Sequence, residues 1–375
     1  MTGAGDRTTV LLVSNVGPGD SGGRAEKLVS RREFLAERGI DLVFGTVEEP
    51  YGKTALPSAL RLIRLARRED ADLVTSVSNP FHLQLLGFVV STALGLPWVA
   101  EFRDPMVASP DRDPDALVTK AAGFVEWLTA RTATRVVWGD GIQIDEDYFD
   151  RRYGIGTKAT KLPFHGFDPE TFDDAETRDS PEFTVTYAGS FYEGWIEPYR
   201  FLEGLRAHVE THGADAAGDG GDNGYDDLRV QFYGDWNDEY QAAVENAGLA
   251  DVVSHHEFVP HEEIVPVLKG SDLVLYVGGD DPDNRLNVPS KIWDYVGART
   301  PILAVVDPSF RVAELIEAYD LGLVVDPDDT EGIAEAIAAV RSGEYAYDPD
   351  PAAFEFTREG KFERLAELYR EVAAQ

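Results

Sequence analysis

The stretch FHGFDPETFDDAETRDSP, residues 164–181, divides the chain into two similar halves. It is polar and rich in aspartate, with Gly166, Pro169 and Pro181 as breakers, so it reads as a linker. On its N-terminal side, short β-rich runs fall at 10–14, 42–46, 73–77, 98–102 and 135–138. Longer helical patterns lie between them, such as 24–38, which stops at Gly39 as a helix end should. On its C-terminal side the alternation starts again, with strands predicted at 183–188, 228–233, 252–254, 273–276, 302–306 and 321–325. Strands alternating with helices build βαβ units and parallel sheets. The predicted fold class is therefore α/β, two doubly wound Rossmann-like domains. Ligands are expected at the carboxyl ends of the strands, in an inter-domain cleft.

A length of 375 residues agrees with roughly two to three domains. The expected division is 1–170, 171–350 and a C-terminal segment, 351–375, whose helical run at 354–372 is followed by no strand and could pack back across the domain junction. Residues 213–227 are rich in glycine and aspartate and read as an exposed insertion loop. The most apolar stretch, 83–100, is broken by Gln84, Gly87, Gly95 and Pro97, which suits a buried helix followed by a strand better than a membrane span.

Composition narrows the functional classes. Hydrophobic residues make up 43% and aromatic residues 11%, ample for packed cores. A net charge of -34, from 68 acidic and 34 basic residues, repels nucleic-acid phosphates and anionic membrane surfaces, so nucleic acid is excluded as a partner. Such acidity is typical of a salt-loaded cytoplasm, where molar salt cuts the Debye length to about 3 Å, and points to a halophilic host. There is no cysteine, hence no disulfide, thiol nucleophile or cysteine metal site. Residues 1–9 lack the basic-then-apolar layout of a secretory signal, and a cytoplasmic location is expected. The seven histidines have no zinc-site spacing, and no phosphate-loop lysine or GxSxG elbow occurs, so no metal and no cofactor are expected.

Against this negative background, Arg285 and Lys291 stand out, flanking Asn287, Pro289 and Ser290 at a predicted helix start. Proline and serine there leave free amides that favour an anion. A lysine in the first turn opposes the helix dipole, which suggests an anionic ligand; the alternative is a solvated lysine on an ordinary helix. Asp294, three residues on, either faces the same ligand or pairs with Lys291. Gly189 and Ser190 follow a predicted strand directly, where a small residue lets backbone approach a phosphate or sugar, or simply makes a tight turn. Gly234 ends another strand, and Arg200 is a weaker phosphate candidate.

In the first half, Gly22 and Gly23 lie in GPGDSGGRA, a loop that opens a helix after the first strand. Asp104, beyond the strand at 98–102, stands where a general base could sit, although an Arg103–Asp104 structural pair explains it nearly as well. His82 is a possible substitute base or a structural histidine at a helix start, and His165 lies within the linker.

Several stretches, taken in order, resemble retaining GT-B glycosyltransferases of family 4. KLPFHGFDPETF at 161–172 is similar to the segment that closes their N-terminal domain. It is followed by YAGS at 187–190, VQFYGD at 230–235, HEFVPHEEIVPVLKGSDLVLY at 256–276 and NVPSKIWDYVGARTPILAV at 287–305, the last resembling the donor-binding segment. In the first half the match runs through GGRAEKL at 22–28 and EFRDP at 101–105. The chain departs from the family at the first acid of its E-x7-E pattern, where Leu286 stands, and at a basic pair, near whose places stand Ser190 and Trp195.

The resemblance implies metal-free transfer of a sugar, with retention, from a nucleotide-sugar donor in the second domain to a glycan or lipid-linked acceptor in the first. It implies that Lys291 stabilises the departing diphosphate, Asp294 binds ribose, Gly234 makes room for the base, and the Gly22–Gly23 loop lies on the acceptor side; Arg103 stands near the place where many relatives carry a histidine. Peripheral membrane association is an open expectation, as is oligomeric state. A sugar-nucleotide epimerase and a non-catalytic sugar-nucleotide-binding subunit are the alternatives. If the acidic surface is an adaptation to salt, the melting temperature rises between low and molar salt; a flat response would contradict the halophilic reading.

Overall fold

The computed structural model describes residues 7–20, 23–48, 51–78, 80–103, 106–108, 113, 115–139, 144–163, 166–216 and 227–375. The first half supplies β1 (Thr8–Ser14), β2 (Ile40–Thr46), β3 (Leu73–Val77), β4 (Trp98–Phe102), β5 (Arg135–Gly139) and β6 (Ala159–Leu162). The second supplies β7 (Phe183–Ala188), β8 (Leu228–Tyr233), β9 (Val253–His256), β10 (Leu273–Gly279), β11 (Ile302–Val306) and β12 (Gly322–Val325). The sheets run β2-β1-β3-β4-β5-β6 and β12-β11-β10-β7-β8-β9, with every pairing between strands parallel. Strand order reverses between β1 and β3 in one sheet and between β7 and β10 in the other. Doubly wound sheets bind their ligands outside the carboxyl ends of the strands at such reversals.

The chain separates into two compact units, Met1–His165 with Arg358–Gln375, and Gly166–Thr357. The alternation along β1 explains why the last helix joins the first unit. Leu11 and Val13 face a core that includes Leu62, Leu86 and Val125, from the helices Tyr51–Arg68, His82–Leu94 and Leu117–Thr132. Val10 and Leu12 face the other way, against Leu28 and Leu35 of the helix Gly23–Glu37 and Leu365, Tyr369 and Val372 of the helix Arg358–Ala373. A parallel sheet needs both faces covered, and the C-terminal helix completes the second cover. Each such buried aliphatic side chain contributes roughly 1.5–3 kcal/mol.

Under that helix lies a buried ion pair. Arg31 reaches Glu101 with two hydrogen bonds of 2.9 and 2.6 Å, and Thr75 Oγ1 and the Tyr369 hydroxyl each donate to the same carboxylate at 2.9 Å. Burial alone would raise the Glu101 pKa, but the adjoining Arg31 charge outweighs it and holds the group at about 2. The stability this carboxylate lends is complete above its unfolded pKa, near 4.5, and is lost as pH falls toward 2.

The structure corrects the sequence reading in several places. The stretch at 164–181 is not a free linker: Pro169–Asp174 is helical, Phe167 and Phe172 are buried, and Lys269 Nζ donates to the carbonyls of Phe172 and Ala175 at 2.6 and 2.5 Å. β6 was not predicted, because this edge strand buries only Leu162. The predicted insertion loop, 213–227, is helical at its start, since the helix Tyr199–Ala216 continues past Gly213, and 217–226 lie outside the described residues. The final helical run is a 3-10 turn, Pro351–Glu355, followed by the helix itself.

Glu101→Gln leaves the Arg31 charge buried without its counter-ion, so urea unfolding is expected to register a loss of about 3–5 kcal/mol. Replacing both partners by apolar residues of similar volume is expected to cost much less.

Candidate functional site

The reversal point of the second sheet is built around the helix Lys291–Ala298. Its N-cap, Ser290, makes no side-chain cap, and the amides of Ser290 and Lys291 donate to no carbonyl among the described residues. Those amides and the helix dipole favour negative charge. Ser290 is exposed, so an anion has access.

Tyr295, fully buried one turn further on, holds this helix in place. Its hydroxyl donates to the Leu275 carbonyl of β10 at 2.9 Å and accepts the Ala188 amide, at the end of β7, at 3.2 Å. Lys291 lies four residues earlier and is thereby carried over the residue that follows β7. Its Nζ donates to the Tyr187 hydroxyl at 2.8 Å and sits 4.0 Å from the centre of that ring. The Tyr187 hydroxyl in turn donates to the Ser190 carbonyl at 2.9 Å, and burial keeps the phenol protonated by raising its pKa.

Gly189 makes this placement possible. Its φ is 134°, and a Cβ there would lie 2.5 Å from Lys291 Nζ, so only glycine leaves the ammonium its position. Gly234, at φ 138°, is required for a neighbouring reason: a Cβ on it would stand 2.2 Å from the Gly189 carbonyl oxygen. The side of Gly234 on which a Cβ would stand is therefore taken by backbone.

Burial depresses the Lys291 pKa to about 7, with the Asp294 carboxylate partly offsetting it. No ion pair joins the two: among the described residues, Asp294 accepts from His261 Nε2 at 3.0 Å, while Lys291 turns to Tyr187. The ammonium thus lies at the carboxyl end of β7 without a carboxylate in contact, a state that an incoming anion would relieve.

A bulge in β10, between Val277 and Gly279, aims the chain from the sheet into the segment 280–290. Asn284, buried there, donates to the Gly278 carbonyl at 3.3 Å. Arg285 is exposed at the end of the 3-10 turn Pro282–Asn284, and Asn287 donates its amide to the Asn284 carbonyl at 2.8 Å. Arg200 forms surface ion pairs with Asp328 at 2.8 Å and Glu203 at 3.5 Å.

In the first unit, Asp104, Gly22 and His165 lie outside the described residues, and Gly23 is the first residue of its helix. His82 begins the helix His82–Leu94 and meets Phe81 edge-on at 5.6 Å. The Arg103 amide donates to Ser78 Oγ at 2.9 Å. Near the end of β5, Lys361 Nζ stands 2.9 Å from where a Cβ on Gly139 would be. Burial depresses Lys361 to about 7, against the pull of Glu101, with Arg103, Arg31 and Lys27 lowering it further. No group of histidine and carboxylate side chains among the described residues is arranged to hold a metal ion.

The sequence reading missed Tyr187, Asn284, Tyr295, His261 and Lys361. Tyrosines in YAGS and KIWDY were visible there, but nothing local ties either of them to a lysine or a strand end.

No protein-family model matches the chain, and no curated protein sequence matches it. Solved structures do resemble it. Anabaena HepE in complex with UDP is 16% identical, with 98% of each chain covered and a TM-score of 0.60. A glycosyltransferase from Rickettsia africae is 12% identical, with 98% of each chain covered and a TM-score of 0.65. UDP-GlcNAc 2-epimerase from Methanocaldococcus jannaschii is 11% identical, with 97% of this chain and 99% of that one covered and a TM-score of 0.56. The chain therefore has the GT-B fold: two Rossmann-like units with six parallel strands each, the first completed by the C-terminal helix.

Proposed function

We propose that the chain is a glycosyltransferase that binds a nucleotide-sugar donor at the carboxyl end of β7 and transfers its sugar, with retention and without a metal, to a glycan or lipid-linked acceptor on the first unit. One observation carries the reading: the amides of Ser290 and Lys291, which donate to no carbonyl among the described residues, and the Lys291 ammonium lie together at the reversal point of the second sheet. When the glycosidic bond to phosphate breaks, the nucleoside diphosphate leaves with the electron pair and gains negative charge. Fixed amides and a half-buried cation stabilise that charge without reorganising.

Asp294 is assigned to the ribose hydroxyls, with His261 orienting its carboxylate. Arg285, Asn287 and Ser190 complete the donor surface in this reading, and Arg103, Asp104, His82, Gly22 and Gly23 are assigned to the acceptor side. The likeness to HepE, a protein solved with UDP, supports a uridine-type donor. The likeness to an epimerase favours a second reading, conversion of the sugar nucleotide alone, and Leu286 at the lost acidic position favours a third, a subunit that binds without turnover.

Incubation with labelled nucleotide sugars distinguishes these readings. Transfer only in the presence of acceptor supports the first, conversion without acceptor the second, and binding without turnover the third. Lys291→Ala is expected to raise the transfer barrier by on the order of 2–4 kcal/mol, and unchanged turnover would remove the assignment.

The affinity for UDP carries a pH signature. Near pH 7 the free protein holds Lys291 only partly charged, and the charged form is the one that attracts diphosphate. The terminal phosphate of UDP, whose second ionisation is near 6, is fully charged above pH 7. Calorimetry between pH 7 and 9 is therefore expected to show affinity falling with pH, by at most tenfold per unit. Lys291→Ala is expected to flatten the dependence.

A further inference from the structure

The helices Tyr51–Arg68, His82–Leu94 and Leu117–Thr132 pack on one face of the first sheet, through Ala59, Leu62, Leu83, Leu86, Ala122 and Val125. The helix His82–Leu94 touches both of the others, so their outer sides form one surface. That surface is unusual in two respects.

It is apolar. Of nine large hydrophobic residues exposed among the described residues, seven lie on these three helices. Leu117 is 85% exposed, Phe124 59% and Trp127 44%, and the rings of Phe124 and Trp127 lie 5.8 Å apart. Val118 is on the same helix, Leu56 and Leu60 are on the first, and Val89 is on the middle one. The residues 83–96, the most apolar by sequence, are not the source: most of the large side chains of that helix face the core, and only Val89 among them is largely exposed.

Its helices are also basic, in a chain where acids outnumber bases 68 to 34, and the exposed acids Glu69, Asp70, Asp113 and Asp115 stand only beyond their ends. The three helices span 47 residues and carry seven lysines and arginines. Their one acidic residue, Glu126, is buried and accepts from Tyr148 and Tyr153 at 2.6 and 2.7 Å. Among the described residues, Arg64, Arg67 and Arg131 are exposed and make no ion pair. Arg68 and Lys120 have only exposed partners, Glu69 and Asp115.

We propose that this face of the first unit docks on an anionic lipid bilayer, with Phe124, Trp127 and Leu117 entering the headgroup boundary and Arg64, Arg67 and Arg131 meeting lipid phosphates. Aromatic and aliphatic side chains bordered by arginine and lysine are the pattern of helices that lie in a membrane interface. Charge complementarity favours this occupant over the same face of a second copy, which would set like charges against one another. The overall charge of -34 does not prevent it, because at 0.1 M salt the Debye length is about 10 Å, and within that distance the nearest charges dominate. None of the helices among the described residues is long and apolar enough to cross a membrane, so the association is a surface one.

Vesicle sedimentation at 0.1 M salt tests the proposal with the full chain. Vesicles of phosphatidylcholine with one-third phosphatidylglycerol are expected to bring the protein down, and pure phosphatidylcholine to leave it in solution. Phe124→Ser with Trp127→Ser, and separately Arg64→Glu with Arg67→Glu, are each expected to weaken the partition at least tenfold; Tyr192→Ser, exposed on the second unit, is expected to leave it unchanged. All four sites tested for loss are exposed, so folding, checked by circular dichroism, is expected to persist. Wild-type protein that stays in solution with anionic vesicles, or variants that partition as wild type does, would overturn the proposal. So would a dimer in sedimentation velocity that Phe124→Ser with Trp127→Ser dissociates, since a second copy would then be the occupant.

Discussion

The hydroxyl of Tyr295 joins three elements at the point where the second sheet reverses its strand order. It donates to β10 and accepts from the end of β7, so the helix that carries it has one register against the sheet. That register sets Lys291 over Gly189 and leaves the first amides of the helix without a carbonyl partner among the described residues. Everything assigned to the donor surface depends on this placement. Losing the hydroxyl would leave a buried carbonyl and amide with fewer partners, a cost comparable to a lost hydrogen bond for each.

The placement works against the local electrostatics. A lysine in the first turn meets the positive end of the helix dipole, and its burial depresses its pKa to about 7. The protein keeps the nitrogen there with a tyrosine hydroxyl and ring, groups that hold an amine without neutralising it. Its nearest carboxylate, Asp294, is occupied by His261. An anion arriving at the helix tip would gain both the amides and the ammonium, so interaction energy is held back for the ligand. The first unit has a lysine depressed to the same degree, Lys361, but there the charge environment is the Arg31–Glu101 pair, whose evident role is to bind the C-terminal helix to the sheet.

The alternation of strands and helices was legible in the sequence because most strands are buried on both faces and read as continuous apolar runs, as β1 and β11 do. β6 escaped because an edge strand with one buried side chain has no such run. The segment around Phe167 and Phe172 was misread since two aromatic residues among many polar ones leave no period, although both are buried. Lys291 was legible as a cation at a helix start. Its partner was not, because Tyr187 lies 104 residues away and only the fold brings the two together. The same holds for Arg31 and Glu101, separated by 70 residues; the sequence drew attention to Arg103 and Asp104 beside them. The surface pairing of Arg200 with Asp328 was equally illegible, since only the fold brings the two together.

A structure of the protein with UDP bound tests the central claim most directly. The account predicts the diphosphate against the amides of Ser290 and Lys291, with Lys291 Nζ withdrawn from the Tyr187 hydroxyl and placed on a phosphate oxygen. A diphosphate bound elsewhere, with the Lys291–Tyr187 contact of 2.8 Å intact, would contradict it.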